Sequence, residues 1–300
     1  MIEFHTITLE DKPWVDQHLW CENSPSADFN FGNMFIWDEH YRQLICCYGD
    51  RTLTKVRRHG EPCFVYPIGC GPLRPAIEAL REYAAMRGFP FLLRGVTECQ
   101  RKELEQTYPG RFAFTEDEKY ADYIYDAEKL STYSGKALHG KKNHCNRFEA
   151  EHAWQFVPLT RENIPACLAM LEEWTRDNAE RLDDSIVYEH EAIECAFAHF
   201  DELQLEGGML YADGKLVGFS FGEMTSEDTF DTHVEKADAS MNGAYPMVCR
   251  ELTRMMLKKH PELKYINRED DMGLEPLRIS KLSYKPVYLL KKYMASWIDG

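Results

Sequence analysis

Apolar and polar residues alternate most regularly in the second half of the chain, between residues 208 and 286. Asp213-Gly214 stands between two apolar runs, and Asp-Gly in that setting is a strong signal of a β-hairpin. Further on, Tyr245, Val248 and Leu252 recur at the spacing of one helix face. The pattern predicts two hairpin strands, a third strand, a helix, a strand, a short helix and a last strand. Their predicted bounds are 209–211, 216–224, 229–235, 243–260, 264–268, 276–282 and 287–293.

The first half of the chain shows a similar order of predicted elements: three strands, a helix, a strand, a helix and a strand. Their predicted bounds are 43–48, 52–57, 63–67, 74–87, 91–94, 98–108 and 120–125. Two amphipathic helices at 160–176 and 189–205 then precede the second hairpin. We therefore predict two tandem copies of one α/β fold, residues 1–152 and residues 153–300.

This order of elements is similar to that of a GNAT acyltransferase, whose mixed sheet splays open to admit the acyl donor. The predicted fold class is therefore mixed α+β or α/β, with two tandem GNAT-like acyltransferase folds. Coenzyme A enzymes of that fold hold the donor pyrophosphate on a glycine-rich loop at a helix N-terminus. Here the corresponding residues 237–244 contain Asp238 and a single glycine, Gly243. We therefore predict weak or absent binding of acetyl-coenzyme A.

Composition restricts the classes of function. The formal net charge is −15, which argues against affinity of the whole surface for nucleic acid or anionic membranes. The chain has no apolar run long enough for a membrane span, and its first residues lack the basic and apolar regions of a signal peptide. The ten cysteines form no C-x-x-C pair. We therefore expect free thiols in a reducing cytoplasm and no metal site, with zinc binding or disulfides as the alternative.

One segment contrasts with this acidic background. Residues 134–148 contain Lys136, Lys141, Lys142 and Arg147 and no acidic residue. A local group of cations in an acidic chain indicates contact with a phosphate, a carboxylate or a nucleic acid. The alternative is a solvated basic helix near the linker between the two copies. Any binding of tRNA would depend on this local patch.

Three residues of the third strand of the second half are candidates for catalysis. Asp231, His233 and Glu235 fall on one face if the strand alternates regularly. An imidazole between two carboxylates would have a raised pKa and could serve as a base in acyl transfer. The alternative is a polar, solvated strand face. Arg278 and Lys281 are three residues apart on the short helix and share a face, where they could bind phosphate or serve only as surface charge.

Three segments together resemble the C-terminal domain family of phosphatidylglycerol lysyltransferases. They are Asn30–Trp37, Lys141–Phe148 and the long stretch Asn267–Pro286, whose Asn-Arg-Glu-Asp-Asp-Met-Gly start is the most specific part. The resemblance implies a tandem GNAT fold similar to that of the Fem peptidyltransferases. It also implies substrate-binding roles for two groups of residues. These are Lys141, Asn143 and Arg147 in the basic motif, and Asn267, Asp270, Arg278, Lys281 and Tyr284 in the C-terminal motif.

The same resemblance implies an aminoacyl- or acyltransferase that moves an aminoacyl group from aminoacyl-tRNA to a small-molecule, peptide or lipid acceptor. No tightly bound cofactor is expected, because aminoacyl-tRNA is the donor substrate. The lipid-modifying relatives carry a membrane-embedded half, which we do not expect here, and this counts against a phospholipid acceptor. The alternatives are an N-acetyltransferase that uses acetyl-coenzyme A and a non-catalytic binding protein on the same scaffold. We further expect Lys141, Arg147, Arg278 and Lys281 to converge on one cleft between the two copies.

Overall fold

A computed structural model describes residues 2–58, 60–177 and 184–298. Its helices are α1 Lys12–Glu22, α2 Phe31–Ile36, α3 Asp38–Tyr41, α4 Leu73–Arg87, α5 Glu98–Thr107, α6 Ala127–Thr132, α7 His139–Glu151, α8 Ile164–Asp177, α9 Asp184–Ala198, α10 Ala244–Lys259 and α11 Glu275–Ser283. Its strands are β1 His5–Thr6, β2 Leu44–Tyr48, β3 Arg51–Arg58, β4 Glu61–Val65, β5 Ile68–Gly69, β6 Leu92–Thr97, β7 Phe112–Glu116, β8 Asp122–Asp126, β9 Trp154–Pro158, β10 Glu206–Ala212, β11 Lys215–Ser226, β12 Thr229–Ala237, β13 Tyr265–Asn267, β14 Tyr288–Leu290 and β15 Lys292–Trp297.

Most elements lie where the sequence pattern predicts them. The predicted hairpin is β10–β11, and the helix predicted at 243–260 is α10. Strands β7 and β9 were not among the predicted elements. Both lie at the end of their sheet, β7 beside β15 and β9 beside β10. A strand at the end of a sheet is half solvated and carries a weaker apolar pattern.

Among the described residues, the strands form two mixed sheets. One has the order β1-β2-β3-β4-β6-β15-β7, with β5 paired to β3, and the other has the order β14-β8-β13-β12-β11-β10-β9. The β4–β6 pair of the first sheet and the β12–β13 pair of the second are parallel. The other pairs for which the register is known are antiparallel.

The chain divides into two compact units, and each contains segments that are distant in sequence. The first unit comprises residues 1–122, 270–274 and 289–300, and the second comprises 123–269 and 275–288. This division differs from the predicted boundary after residue 152. The physical reason is strand pairing: the C-terminal β15 pairs with β6 and β7, whereas β8 from the first half of the sequence pairs with β13.

The hairpin β11–β12 of the second unit presents two differently covered faces. Phe219 and Phe221 contact Phe197 of α9 on one face. Phe230, on the other face, belongs to the same buried apolar cluster as Val248 of α10. The hairpin therefore separates two environments within one unit.

A β-bulge interrupts the pairing of β11 with β12. Val234 pairs with Phe221 and Thr232 pairs with Gly222, so the register skips His233. A Cβ atom on Gly222 would lie 1.8 Å from the carbonyl oxygen of Asp231, so only glycine fits there. A bulge changes which face the following residues occupy, and this bulge decides where the candidate catalytic residues point.

One prediction about the cysteines is wrong. Cys21 at the end of α1 and Cys70 after β5 form a disulfide across 49 residues of sequence. The pairing depends on the packing of α1 beside β5, which no spacing motif reveals. The other eight cysteines are free thiols, as expected. Within the described part of the chain, every helix is too short or too polar to cross a lipid bilayer.

Candidate functional site

The bulge separates the three predicted catalytic residues onto two faces of the sheet. Asp231 lies opposite Glu223 in the register, on the face away from Phe230 and α10. Beyond the bulge, Glu235 lies opposite Ser220 and extends toward the α10 side, where it contacts Arg268. The prediction that Asp231, His233 and Glu235 share one face is therefore wrong, because it assumed regular alternation through His233.

On the first face, one imidazole lies among three carboxylates, and we call this group the histidine centre. Its members are Glu223, Asp231, His233 and Glu269. Nδ1 of His233 is 3.2 Å from Oε1 of Glu269 and 3.6 Å from Oδ2 of Asp231. Nε2 is 3.1 Å from Oε1 of Glu223. Burial by itself lowers the pKa of His233, but hydrogen bonds to Glu223 and Glu269 and the charge of Asp231 outweigh it and raise that pKa well above its ordinary value.

On the other face, cationic side chains surround a buried tyrosine, and we call this group the cation cluster. It consists of Lys141, Glu235, Arg268, Lys281 and Tyr284. Nζ of Lys141 lies 3.7 Å from the centre of the Tyr284 ring, and the guanidinium carbon of Arg268 lies 4.4 Å from it. Arg268 Nη2 donates to Oε1 of Glu235 at 2.8 Å, and Lys281 Nζ donates to the carbonyl oxygen of Arg268. The cluster thus joins α7, β12, the end of β13 and α11.

Burial and mutual charge shift the protonation of this cluster. Burial raises the pKa of Glu235, although Arg268, Lys141 and Lys281 oppose the rise. Burial likewise lowers the pKa of Lys141, and the positive charge of Arg268 lowers it further. Burial opposes the charge of Arg268, but Glu235 and neighbouring groups outweigh it and raise the pKa of the guanidinium well above its usual value. Glu235 is therefore a more basic carboxylate than an exposed glutamate, and Arg268 stays charged.

One donor in the cation cluster lacks a partner among the residues that the structure describes. Nη1 of Arg268 is buried and makes no hydrogen bond there, although Nη2 of the same guanidinium is paired with Glu235. A buried donor left unsatisfied costs free energy, so it is rare in native proteins unless a ligand or water meets it. The geometry therefore provides a donor for an oxygen atom of a bound molecule.

The other predicted substrate-binding residues lie in several places. Asn143 and Arg147 are exposed on α7 and contact His139 and Glu151 of the same helix. Asn267 is fully buried, and its Oδ1 accepts from the backbone of Glu269. Asp270 accepts from the backbone of Met272, in the first unit. Arg278 lies 3.9 Å from Glu275 on its own helix.

The expected convergence of four cations is only partly correct. Lys141 and Lys281 reach the same group of side chains, whereas Arg147 forms an ion pair with Glu151 on the surface of α7. All four cations belong to the second unit, and the predicted arrangement across two copies is therefore wrong. The predicted boundary after residue 152 placed α7 in the first copy. In the structure α7 belongs to the second unit, which begins at residue 123.

Sequence reasoning missed Arg268, Glu223 and Glu269. Arg268 and Glu269 lie inside the most specific part of the C-terminal motif, so the motif pointed to them. Glu223 follows Gly222, and a glycine inside a strand pattern is a signal of a bulge. Reading that glycine as a bulge would have placed Glu235 on the opposite face from Asp231.

The N-terminus of α10, where a coenzyme A enzyme would bind pyrophosphate, is in contact with α7. Nδ1 of His144 is 2.7 Å from Oδ1 of Asn242. A Cβ atom on Gly243 would lie 2.6 Å from the carbonyl oxygen of His144. Helix α7 therefore packs directly against this turn.

Comparison with known proteins places the chain among relatives of related fold. Residues 23–296 match the family model described as "Phosphatidylglycerol lysyltransferase, C-terminal". An uncharacterised protein of Mycoplasmoides gallisepticum is 26% identical over 186 residues, which cover 60% of this chain and 58% of that protein.

Several solved structures are similar to this one over almost the whole chain. A conserved protein of unknown function from Bacteroides thetaiotaomicron is 36% identical with a TM-score of 0.93, and the match covers 99% of this chain and 100% of that one. The C-terminal domain of a putative lysylphosphatidylglycerol synthetase from Agrobacterium fabrum is 12% identical with a TM-score of 0.65, covering 95% and 91%. FemX is 10% identical with a TM-score of 0.58, covering 97% and 96%. The tandem GNAT-like fold predicted from the sequence is confirmed. The chain belongs to the family of phosphatidylglycerol lysyltransferase C-terminal domains.

Proposed function

We propose that this protein transfers an aminoacyl group from aminoacyl-tRNA to an amine or hydroxyl acceptor, and that the cation cluster is the site of transfer. The observation that carries the proposal is the buried Nη1 of Arg268, which has no hydrogen-bond partner among the described residues. Attack on an aminoacyl ester turns its carbonyl oxygen into an oxyanion. A fixed, buried guanidinium donor stabilises such a charge far better than water does.

Glu235 is the candidate base for this reaction. The acceptor nitrogen or oxygen forms a bond to the ester carbonyl carbon, and its proton passes to the Glu235 carboxylate. The bond from that carbon to the ribose oxygen then breaks, and the ribose oxygen takes the proton. Because burial raises the pKa of Glu235, its carboxylate is a stronger base than an exposed one. Of the three residues predicted to be catalytic, Glu235 alone extends to this face, so we assign the base role to it.

Lys141 and Lys281 supply positive charge that suits the phosphates of a tRNA end. The charges of Arg268, Lys141 and Lys281 all act on the carboxylate of Glu235. Cations that crowd together repel one another, so such a group is best neutralised by a bound anion. The aromatic ring of Tyr284 holds the lysine and the arginine in place. Because the chain as a whole carries a net charge of −15, a polyanion is repelled by most of its surface and attracted to this cationic group.

An acetyl-coenzyme A enzyme on the same fold is the second candidate. The contact of α7 with the N-terminal turn of α10 counts against it, because that turn is where the pyrophosphate would bind. A binding protein without catalysis would engage tRNA but release no free tRNA product.

The test is transfer of a labelled amino acid from charged tRNA, with amines, peptides and lipid hydroxyls offered as acceptors. Arg268→Lys should lower kcat/KM by about 10²–10³-fold, as expected for the loss of an oxyanion donor. Arg161→Lys is the matched control, because Arg161 is exposed and forms a long ion pair of 3.4 Å with the surface residue Asp201. Full activity of Arg268→Lys would refute the assignment of this residue. Micromolar binding of acetyl-coenzyme A without any transfer from tRNA would favour the second candidate.

A further inference from the structure

The histidine centre lies on the opposite face of β12 from the cation cluster, and the proposed transfer does not use it. Its three inner members are Asp231, His233 and Glu269, whose ligand atoms all lie within 4.8 Å of one another. The Asp231 and His233 side chains are fully buried. The Glu269 side chain is 24% exposed, so the centre can be reached from solvent on that side.

The two distances from the imidazole nitrogen to the carboxylates are close to those between ligands of one metal ion. Ligand atoms that each lie about 2.1 Å from a tetrahedral metal are about 3.4 Å apart. The distances from Nδ1 of His233 to Glu269 and Asp231 are 3.2 and 3.6 Å. The longer distance exceeds that of an ordinary hydrogen bond but is compatible with two ligands of one cation.

The opposite side of the imidazole provides an independent indication. Nε2 of His233 is 3.1 Å from Oε1 of Glu223, which is not one of the three inner residues. A histidine that binds a metal through one ring nitrogen characteristically donates its other N–H to a carboxylate, which fixes the tautomer and the ring. Here Nδ1 faces the two carboxylates and Nε2–H is held by a third. One ring nitrogen is thus placed to bind a metal and the other to be held by a hydrogen bond. A cluster of carboxylates alone offers no such pair of nitrogens.

The fold holds these residues on a rigid frame. Asp231 and His233 lie on β12, in the interior of its sheet, and the bulge with Gly222 turns His233 beside Asp231. Glu269 follows β13, whose Asn267 is the parallel partner of Asp231. The backbone N–H of Glu269 donates to the side chain of Asn267 at 2.7 Å, which fixes the start of this segment. Ligands from a strand interior and from the end of its neighbour are thus brought together.

We propose that Asp231, His233 and Glu269 form a binding site for a divalent transition-metal cation, with Glu223 orienting the imidazole. One imidazole with two carboxylates is a donor set suited to Zn²⁺ or Mn²⁺. The cation displaces the proton from Nδ1 and neutralises two carboxylates that burial otherwise penalises. Metal binding here does not depend on the aminoacyl transfer proposed above.

The test uses the full chain after removal of metals with a chelator. Zn²⁺, Mn²⁺ and Mg²⁺ are titrated separately by calorimetry and by thermal unfolding, and Co²⁺ serves as a visible-absorption probe of the ligand set. We expect Zn²⁺ or Mn²⁺ to bind with a stoichiometry of one and to raise the unfolding midpoint, because a ligand of the native state stabilises it. Mg²⁺ should bind much more weakly, since the imidazole does not suit it.

Variants separate a metal ligand from a structural residue. Glu269→Gln, at the partly exposed ligand, should fold and weaken metal affinity at least tenfold. Glu223→Gln removes no ligand and should weaken affinity about ten- to hundredfold through the lost support of the imidazole. Asp213→Asn is the matched control, because Asp213 forms a surface pair with His152 at 2.7 Å, and it should bind metal like the wild type.

Two outcomes would overturn the proposal. One is a wild-type chain that binds none of these cations with a dissociation constant below the millimolar range, which would leave His233 as a protonated imidazole held by carboxylates. The other is a Glu269→Gln or Asp231→Asn variant that folds and binds Zn²⁺ or Mn²⁺ as tightly as the wild type. If Asp231→Asn does not fold, Glu269→Gln alone decides.

Discussion

Each of the two units buries a group of charged side chains. The two groups differ in how their positive and negative charges are paired. In the first unit, Nζ of Lys292 lies 2.7 Å from Asp28 and 2.7 Å from Asp122, and Arg94 lies 3.8 Å from Asp28. Lys292 there lies beside both Asp28 and Asp122, and the charge of Asp270 also acts on it. In the cation cluster of the second unit, Lys141, Arg268 and Lys281 surround Glu235, and the buried Nη1 of Arg268 makes no hydrogen bond within the described residues.

We interpret the first-unit group as structural and the cation cluster as the site of the proposed transfer. Burial opposes the charge of Lys292, but Asp122 and Asp28 outweigh it and raise the pKa of Lys292 well above its ordinary value. The two carboxylates hold this lysine in its charged form, although Oδ2 of Asp28 makes no hydrogen bond within the described residues. In the proposed function, an anionic substrate would accept from Nη1 of Arg268, which makes no hydrogen bond within the described residues. The comparison also explains why burial of charge alone does not identify a binding site.

The largest expected effect comes from removing the balanced cation. Lys292→Met leaves Asp28 and Asp122 buried without their shared partner and should lower the free energy of unfolding by about 3–5 kcal/mol. Urea unfolding followed by circular dichroism measures this loss. Lys291→Met is the control, since Lys291 is exposed and its removal should leave the midpoint unchanged. Equal midpoints for the two variants would contradict the structural role of the first-unit group.

The same substitution in the cation cluster should affect binding more than stability. Lys141→Met relieves repulsion with Arg268 while losing its contact with Tyr284, so the free energy of unfolding should change by less than about 1 kcal/mol. Affinity for charged tRNA should fall about tenfold, as expected for loss of a charged hydrogen bond. The slope of log affinity against log salt should also become shallower by about 0.7. A large loss of stability with unchanged tRNA affinity would reverse the comparison.

The smallest expected effect is on the pH dependence of stability, and it reports on Glu235 alone. Burial raises the pKa of this carboxyl group in the folded chain. A group with a raised folded pKa stabilises the fold below its unfolded pKa, and this contribution is lost as pH rises through the folded pKa. From about pH 4.5 upward, the wild type should therefore lose stability relative to Glu235→Gln.

Unfolding midpoints measured across this pH window test the effect, with Glu275→Gln at the exposed start of α11 as the control. Parallel pH curves for the wild type and Glu235→Gln would show that Glu235 has an ordinary pKa in the folded chain. The comparison of the two units would then depend on Arg268 alone.

Much of this architecture follows from the sequence itself. Local periodicity determined the hairpin β10–β11, helix α10 and the order of the elements, because side-chain spacing reports directly on helix and strand geometry. The motif that begins at Asn267 covers the end of β13. The two residues that follow this strand, Arg268 and Glu269, belong to the cation cluster and to the histidine centre. Lys141, Lys281 and Tyr284 were identified from the family motifs, and the structure brings them together.

Only the tertiary structure decided which unit each strand joins and which face each site residue occupies. β8 and β15 pair with strands far away in sequence, and long-range pairing leaves no local pattern. The division of Asp231 and His233 from Glu235 arises from one unpaired residue, where Gly222 lies against the backbone of Asp231. Period-two alternation holds only while the register is regular, so a single bulge reverses the face of every residue beyond it.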